Sequence, residues 1–415
     1  MLVLPSVAPA VQPERRALPL VGETSSARPR LAVSAKGFRV FFALAACYAV
    51  LIVPLWLAIL GGVASPSNYL DPLSWHAHEM VFGFTVAVIA GFLLTAVGNW
   101  TQRETLIGAP LLALAGLWVL GRVAMILASQ LPRGVAAAAD LAFLPMLIVA
   151  LARPLVATRS HRHFVILGVL SGLFAANVAV HLDALGLVAA GTARRASSVA
   201  VDFVALVILI IAGRVFPMFT RGATGVDTIR SHRLLDVMTV VGMAALVIVD
   251  AVAAEPPTPS IVAGVVGLLA VARAIHWGAQ HSLRQPLLWI LHAGYAWLAL
   301  GLLLRGAGSF APVLTGSMAT HAITAGAIGS LTLGMMARVS LGHTGRPLVA
   351  PPAMRWAFAA ITLGAVARVL APVVAPGAYL TALIIAGALW SMAMLAFLVV
   401  YTPMLVAPRI DGKAG

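Results

Sequence analysis

Apolar stretches of about 20 residues, almost free of charge, recur along this chain from residue 38 to residue 402. Each is long enough to cross the ~30 Å of hydrocarbon in a bilayer as a helix that rises 1.5 Å per residue. Charged residues make up 10% of the chain, whereas a soluble domain usually carries about a quarter. No stretch shows the ~10-residue alternation of a membrane barrel, and lipid then leaves helices as the spanning structure. The sequence therefore predicts an all-α, polytopic membrane protein.

Twelve membrane spans are predicted, with prolines and charged residues between them, as at Pro66, Pro132, Pro154, Pro256-Pro257 and Pro351-Pro352. The predicted spans are residues 38–60, 76–98, 108–128, 134–152, 163–182, 197–219, 234–252, 260–279, 286–305, 317–340, 353–371 and 378–402.

The basic residues between the spans test this count and orient it. With both termini in the cytoplasm, 21 of the 27 basic residues fall on the cytoplasmic side and six on the other. A bias of this kind is what the positive-inside rule expects, and one missed span would destroy it. We therefore expect a disordered cytoplasmic tail at 1–36, a single transmembrane domain at 37–405 and a short cytoplasmic tail at 406–415. The tail lacks a charged segment before its apolar start, which argues against a cleaved signal peptide.

The net charge of +14 comes from the same excess of basic residues on the predicted cytoplasmic side. The basic residues are scattered between apolar spans and form no patch with interleaved aromatic residues, which argues against nucleic-acid binding. The only cysteine, Cys47, excludes an intrachain disulfide and a cysteine-based zinc or iron–sulfur site.

Eleven histidines stand out because polar groups at membrane depth are functional candidates by default. The predicted topology sorts them into three sets. Near the outer face lie His76, His78, His181 and His321; near the inner face lie His276, His292 and His343; and His161, His163, His232 and His281 fall in cytoplasmic loops, where we expect them to be solvated.

Two spacings limit how these histidines can share a centre. His321 and His343 would lie about 33 Å apart on one continuous helix, so they indicate two sites on opposite sides of the membrane. His76 and His78 would point about 200° apart on a helix, so if both ligate they face different centres, unless the chain at His76 is not yet helical. Imidazole suits heme iron and copper, so the histidines favour b-type heme, copper or both. The alternative is that each ring merely bonds to a neighbouring helix.

Three carboxylates also fall within the outer part of the predicted spans. Glu79 follows the outer histidine pair directly and is a candidate for orienting a ligand imidazole or carrying protons. Asp140 and Asp202 lie about one turn inside the outer face, where Arg122 or polar helix ends are candidate partners.

Two arginines end predicted spans on the inner side. Arg214 and Arg338 are candidates for binding heme propionates, and anchoring under the positive-inside rule explains them equally well.

Seven segments have a distinctive sequence: 75–84 (WHAHEMVFGF), 91–97 (GFLLTAV), 99–101 (NWT), 213–220 (GRVFPMFT), 286–297 (PLLWILHAGYAW), 321–329 (HAITAGAIG) and 338–348 (RVSLGHTGRPL). In these segments the chain resembles the NnrS family of bacterial heme- and copper-containing membrane proteins. At position 98 the chain has Gly98, where the family-like segment more often has proline.

This resemblance implies a protein of the bacterial cytoplasmic membrane that acts in the nitric oxide response, in denitrification or in relief of nitrosative stress. It implies b-type heme and copper as cofactors and nitric oxide, or a related small molecule, as the ligand. A respiratory-chain donor would supply electrons if nitric oxide is reduced. The cofactor and metal ligands expected in or beside the family-like segments are His76, His78, His181, His292, His321 and His343; His276 is not expected among them.

The residues leave the activity open. Reduction of nitric oxide needs proton relays, of which Glu79, Asp140 and Asp202 are the only clear candidates, so binding or protection is favoured over turnover. A secondary-type transporter of heme, copper or a small anion is the main alternative, although no repeat relates the two halves. An assembly or sensor factor for a respiratory complex is a third.

Overall fold

The computed structural model describes residues 32–64, 68–252, 257–311, 313–413 and 415. Within these ranges, eleven helices are long and apolar enough to cross a membrane, and no strand occurs. A further apolar helix, Thr258–Ala274, has 17 residues. The all-α, polytopic prediction is confirmed, whereas residues 1–31 of the predicted tail lie outside the described residues.

We number these eleven helices and the shorter apolar helix together in chain order. Most agree with the predicted spans to within a few residues, but the sixth is longer at both ends than the predicted 197–219. They are α1 (Gly37–Leu60), α2 (Pro72–Thr101), α3 (Gly108–Ile126), α4 (Arg133–Ala157), α5 (His161–Ala184), α6 (Thr192–Thr224), α7 (Arg233–Ala251), α8 (Thr258–Ala274), α9 (Pro286–Gly308), α10 (Gly316–His343), α11 (Pro352–Val374) and α12 (Pro376–Val406).

The start of α1 and the end of α12 are tied together by one buried arginine. Nη1 of Arg39 donates to the carbonyl oxygens of Leu405, 2.8 Å away, and Ala407, 2.7 Å away. These are carbonyls at a helix end, which have no partner within the helix. Because the first and last helices meet at the same end of the bundle, the chain crosses it an even number of times. This supports α8 as the twelfth spanning helix.

The short helix α8 packs tightly against α9. A Cβ placed on Gly306 would lie 2.5 Å from the Cα atom of Gly264, so the two backbones touch where both residues lack a side chain. At 1.5 Å per residue, α8 is about 25 Å long, at the short end of the lengths that span a bilayer.

Two helices change their winding directly after a histidine. In α2, residues Glu79–Thr85 are π-helical and follow His78. In α10, residues Ala322–Ile328 are π-helical and follow His321. Such wide turns are rare and often mark functional sites, because they alter the direction in which neighbouring side chains point. Both lie toward the end of the bundle that the sequence predicts to face outward, which we call the outer end.

Candidate metal centre

Two histidines and one aspartate from three helices converge at the outer end. Nε2 of His78 lies 3.2 Å from Oδ2 of Asp140, and Nε2 of His181 lies 2.9 Å from the same oxygen. All three residues are buried. Their ligand atoms lie within 4.8 Å of one another, close enough to hold one metal ion. We call His78, Asp140 and His181 the triad.

Each histidine of the triad uses its other ring nitrogen to bind a neighbour. Nδ1 of His78 lies 2.8 Å from Oε1 of Glu79, and Nδ1 of His181 lies 2.8 Å from the hydroxyl of Tyr69. A partner on Nδ1 fixes the orientation of the ring and directs Nε2 to the point where a metal ion would bind in place of the Nε2 proton. This is the arrangement usual for histidines that ligate metal ions in proteins.

The side chain of Asn177 contacts two members of the triad, Asp140 and His78. It lies one turn before His181 on α5, so both side chains lie on one face of that helix. Its Nδ2 donates to Oδ2 of Asp140 at 2.7 Å, and its Oδ1 lies 3.0 Å from Nε2 of His78. The polar atoms that a bound cation would meet are therefore already gathered at one point.

One arginine links the two carboxylates around the triad. Arg122 of α3 donates from Nη1 to Oε2 of Glu79 at 2.7 Å and pairs through Nη2 with Asp140. The hydroxyl of Tyr48 also donates to Oε2 of Glu79. Two carboxylates face a single guanidinium, so the centre carries one excess negative charge when the histidines are neutral. A buried site with this charge attracts a cation.

The local sequence explains how these groups reach one another. Asp71 caps the start of α2 by accepting from the amide nitrogens of Leu73 and Ser74, each at 3.1 Å, and Pro72 occupies the first helical position. One turn after Glu79, a Cβ on Gly83 would lie 2.7 Å from the Tyr48 ring and 3.1 Å from Nη1 of Arg122. Only glycine leaves room there for both side chains beside Glu79.

The other two outer histidines form a separate site. The ring of His76 stacks on Trp56 with centroids 4.3 Å apart, and His76 lies within electrostatic range of His321. Nε2 of His321 lies 3.2 Å from Nη2 of Arg368. His76 and His78 thus face different sites, as their spacing on α2 predicts.

The inner histidines His292 and His343 are not brought together. Nε2 of His292 lies 2.9 Å from the hydroxyl of Thr220, and the His343 ring packs on Phe38 with centroids 5.7 Å apart. Gly334 of α10 packs beside Ile290 of α9. His343 lies nine residues beyond Gly334 toward the inner end, and His292 lies two residues beyond Ile290 in the opposite direction. At 1.5 Å per residue, the two histidines are therefore about 16 Å apart along the helix axes. The sequence interpretation that places them in one inner site does not match this geometry.

Basic residues surround His343. The charges of Lys36, Arg39 and Arg409 act on its ring, and Arg346 lies in the same group. Two acids offset part of this charge: Lys36 pairs with Glu104 at 2.5 Å, and Arg409 pairs with Asp411 at 2.5 Å. The hydrogen bond from Arg409 lowers the pKa of Asp411 to about 2, so this exposed carboxyl is ionised at neutral pH. The group retains two excess positive charges.

A family model described as "NnrS protein" matches residues 32–409, nearly the whole chain. The chain belongs to the NnrS family. No curated protein matches it in a sequence comparison. The match to the NnrS model covers all twelve helices and both ends of the bundle.

The structure of this NnrS protein corrects the expectation for one loop histidine and shows which of the two aspartates pairs with Arg122. His163 is buried and stacks on Trp100 with centroids 4.5 Å apart, so the expectation that it is solvated is wrong. Asp202 pairs with Arg305 at 3.0 Å, whereas Arg122 pairs with Asp140. Asp250 of α7 shares Arg305 with Asp202.

The two arginines considered for propionate binding differ in their surroundings. Arg214 is exposed. The guanidinium of Arg338 lies 3.8 Å from the centroid of the Phe219 ring.

Sequence reasoning missed the side chains that orient the triad. Tyr48, Tyr69 and Asn177 are isolated polar residues in three different parts of the chain, and no motif joins them. The spacing of Asn177 and His181, one helical turn, is the one signal that could have pointed to a shared site.

Proposed function

We propose that this NnrS protein is a heme- and copper-binding membrane protein that binds nitric oxide at metal centres buried in the bilayer. The triad carries this proposal, because two imidazoles and a carboxylate share one buried point and have their outer partners in place. Its proposed setting is the bacterial cytoplasmic membrane, where it would act in nitric oxide metabolism, denitrification or relief of nitrosative stress.

Copper is the ion proposed for the triad. Imidazole nitrogen suits copper, and the family resemblance implies it. The excess negative charge of Glu79 and Asp140 over Arg122 would offset part of the charge of the ion. When bound, copper would supply a redox-active centre with an affinity for nitric oxide.

Heme is proposed for the inner part of the bundle. The two excess positive charges around His343 fit the two propionate groups of a b-type heme. His292 is a second candidate: its Nε2 lies 2.9 Å from the hydroxyl of Thr220, and its ring lies 5.9 Å from the ring of Phe216. Ferrous heme would supply a second centre for nitric oxide.

An apolar cavity offers a route for a small neutral ligand. It measures about 100 Å³ and lies between α2, α6 and α10, where residues such as Val88, Ile211 and Met335 line it. Phe216 also lines it, and the Phe216 ring lies 5.9 Å from the ring of His292. Apolar cavities of this size stay dry and accept apolar gases. Nitric oxide, which is neutral and lipid-soluble, could therefore approach from the bilayer without a polar channel.

Binding is proposed in preference to turnover. Reduction of nitric oxide would require protons at the metal, and Glu79 is the nearest carboxylate to the triad. Glu79 is fully buried and already accepts from His78, Arg122 and Tyr48, so it serves to position His78. A respiratory electron donor would be needed only if the protein also turns nitric oxide over.

Metal analysis and absorption spectra of the purified protein test the proposal. We expect His181→Ala to lose copper and keep heme, and His343→Ala to lose heme and keep copper. His281→Ala is the matched control, because His281 is exposed in a loop and should leave both contents unchanged. A wild-type protein that holds neither metal after expression with ample heme and copper would refute the proposal.

A further inference from the structure

A second cluster of polar and aromatic side chains lies at the outer end, contributed by five helices. Trp56, His76, His321, Arg368 and Tyr379 come from α1, α2, α10, α11 and α12 respectively. His76 stacks on Trp56, and the Arg368 guanidinium lies 5.8 Å from the centroid of the Tyr379 ring. Polar side chains within membrane helices are expensive, and this group needs an explanation that packing alone does not give.

The ring of His321 is engaged at both nitrogens. Nδ1 lies 2.8 Å from the carbonyl oxygen of Ser317, to which it donates, so Nε2 is the acceptor. That acceptor lies 3.2 Å from Nη2 of Arg368, which also donates to the hydroxyl of Ser317 at 2.9 Å. A guanidinium therefore occupies the position from which His321 would ligate a cation. This geometry does not fit His321 as a metal ligand.

The charge of this cluster is opposite to that of the triad. In the part of the chain that the structure describes, no ion pair joins Arg368 to a carboxylate. Arg122, by contrast, faces two carboxylates. Arg368 is half-buried, and a cation that is partly withdrawn from water is stabilised by an anion beside it.

Two buried nitrogen atoms mark where that anion would bind. Nη1 of Arg368 and Nδ1 of His76 are both shielded from solvent and have no hydrogen-bond partner among the described residues. The charge of Arg368 acts on His76, so the two groups lie near each other. Buried polar atoms without a partner are rare, and a ligand is one recognised reason for them.

We propose that His76 and Arg368 form a binding site for a small planar oxyanion of the nitrite type, with Arg368 as its counter-charge and His321 holding the guanidinium in place. A planar guanidinium matches an anion that carries two oxygens on one atom. The choice of nitrite rests on the proposed function, because nitrite is the hydrated one-electron oxidation product of nitric oxide; the site would lie at the same end of the bundle as the proposed copper centre. The site rests on charge and hydrogen bonding at α10 and α11 and needs no bound metal.

Calorimetric titration of sodium nitrite into full-length, metal-depleted protein in detergent tests this proposal. We expect saturable binding to the wild type and at least a tenfold weaker affinity for Arg368→Gln, about 1.4 kcal/mol. Arg368→Lys, which keeps the charge, should retain part of the affinity. Arg355→Gln is the matched control on the same helix, because Arg355 is exposed and should bind nitrite like the wild type.

Two results would overturn the proposal. Equal nitrite affinity in the wild type and in Arg368→Gln would show that this arginine holds no anion. Loss of co-purified heme in Arg368→Gln, without nitrite binding by the wild type, would assign the counter-charge to a porphyrin carboxylate. Copper and heme contents, read on each preparation before metal depletion, keep the two proposals apart, since the copper content should follow His181 and not Arg368.

Discussion

The imidazole rings of His78 and His181 meet edge to face, with centroids 5.4 Å apart. They come from α2 and α5, and both direct Nε2 to one oxygen of Asp140 on α4. The meeting of three helices at one buried carboxylate makes the triad sensitive to any change in the charges around it. Four predictions follow from the described geometry of the bundle.

Arg122→Met should destabilise the metal-free protein by roughly 3–5 kcal/mol, because it leaves Glu79 and Asp140 as buried charges without their partner. Added copper should recover part of the loss, since a cation bound only by the folded state stabilises it. The measurement is thermal unfolding in detergent with and without copper. Arg305→Met, which breaks the pairs with Asp202 and Asp250, is the control and should not be rescued by copper. Rescue of both variants to the same extent would contradict a cation site at the triad.

Glu79→Gln should weaken copper binding by about 10–100-fold, because the ring of His78 loses the carboxylate that orients it and raises its basicity. The protein should still fold, since glutamine has nearly the same size and can hydrogen-bond to Tyr48. Competition titration with a copper chelator measures the change. An unaltered affinity would show that Glu79 does not act through His78.

Ile211→Trp should slow the association of nitric oxide, because a larger side chain fills part of the cavity between α2, α6 and α10. Heme and copper contents should stay at wild-type levels. Flash photolysis of the nitric oxide complex measures the rebinding rate. Val241→Trp places the same bulk on the exposed face of α7 and serves as the control; slower rebinding in both variants would argue against the cavity as the route.

Cysteines placed before and after α8 should react with impermeant reagents from opposite sides of the membrane. In a Cys47→Ser background, Val252→Cys should be labelled from outside and His281→Cys from the cytoplasmic side. Both residues are exposed in the structure. Labelling of both from one side would show that the 17-residue helix does not cross.

The sequence predicts the spans well because each depends on a local property, the apolar length of one segment. It also predicts that His76 and His78 serve different sites, because helical geometry alone separates two residues by about 200°. Their partners could not be predicted in this way. Asp140, Asn177 and His181 reach His78 only through the packing of α4 and α5 against α2, and the π-helical turn after His78 has no clear sequence signal.

The predicted depth of a histidine in the membrane does not tell which site it belongs to, whereas the charges around it distinguish the two sites. The four outer histidines share a predicted depth, yet the structure divides them between a site with excess carboxylate and a site with an unpaired guanidinium. Arg122 and Arg368 decide this division, and both look alike in the sequence as single arginines within apolar helices.

Hydrophobic length and the pitch of a helix are properties of each segment alone, so the amino-acid sequence is enough to predict a bundle of membrane helices with histidines at two depths. It is not enough to predict which side chains share a site and what charge each site carries. These depend on contacts between helices distant in the chain, where one arginine can face two carboxylates or none.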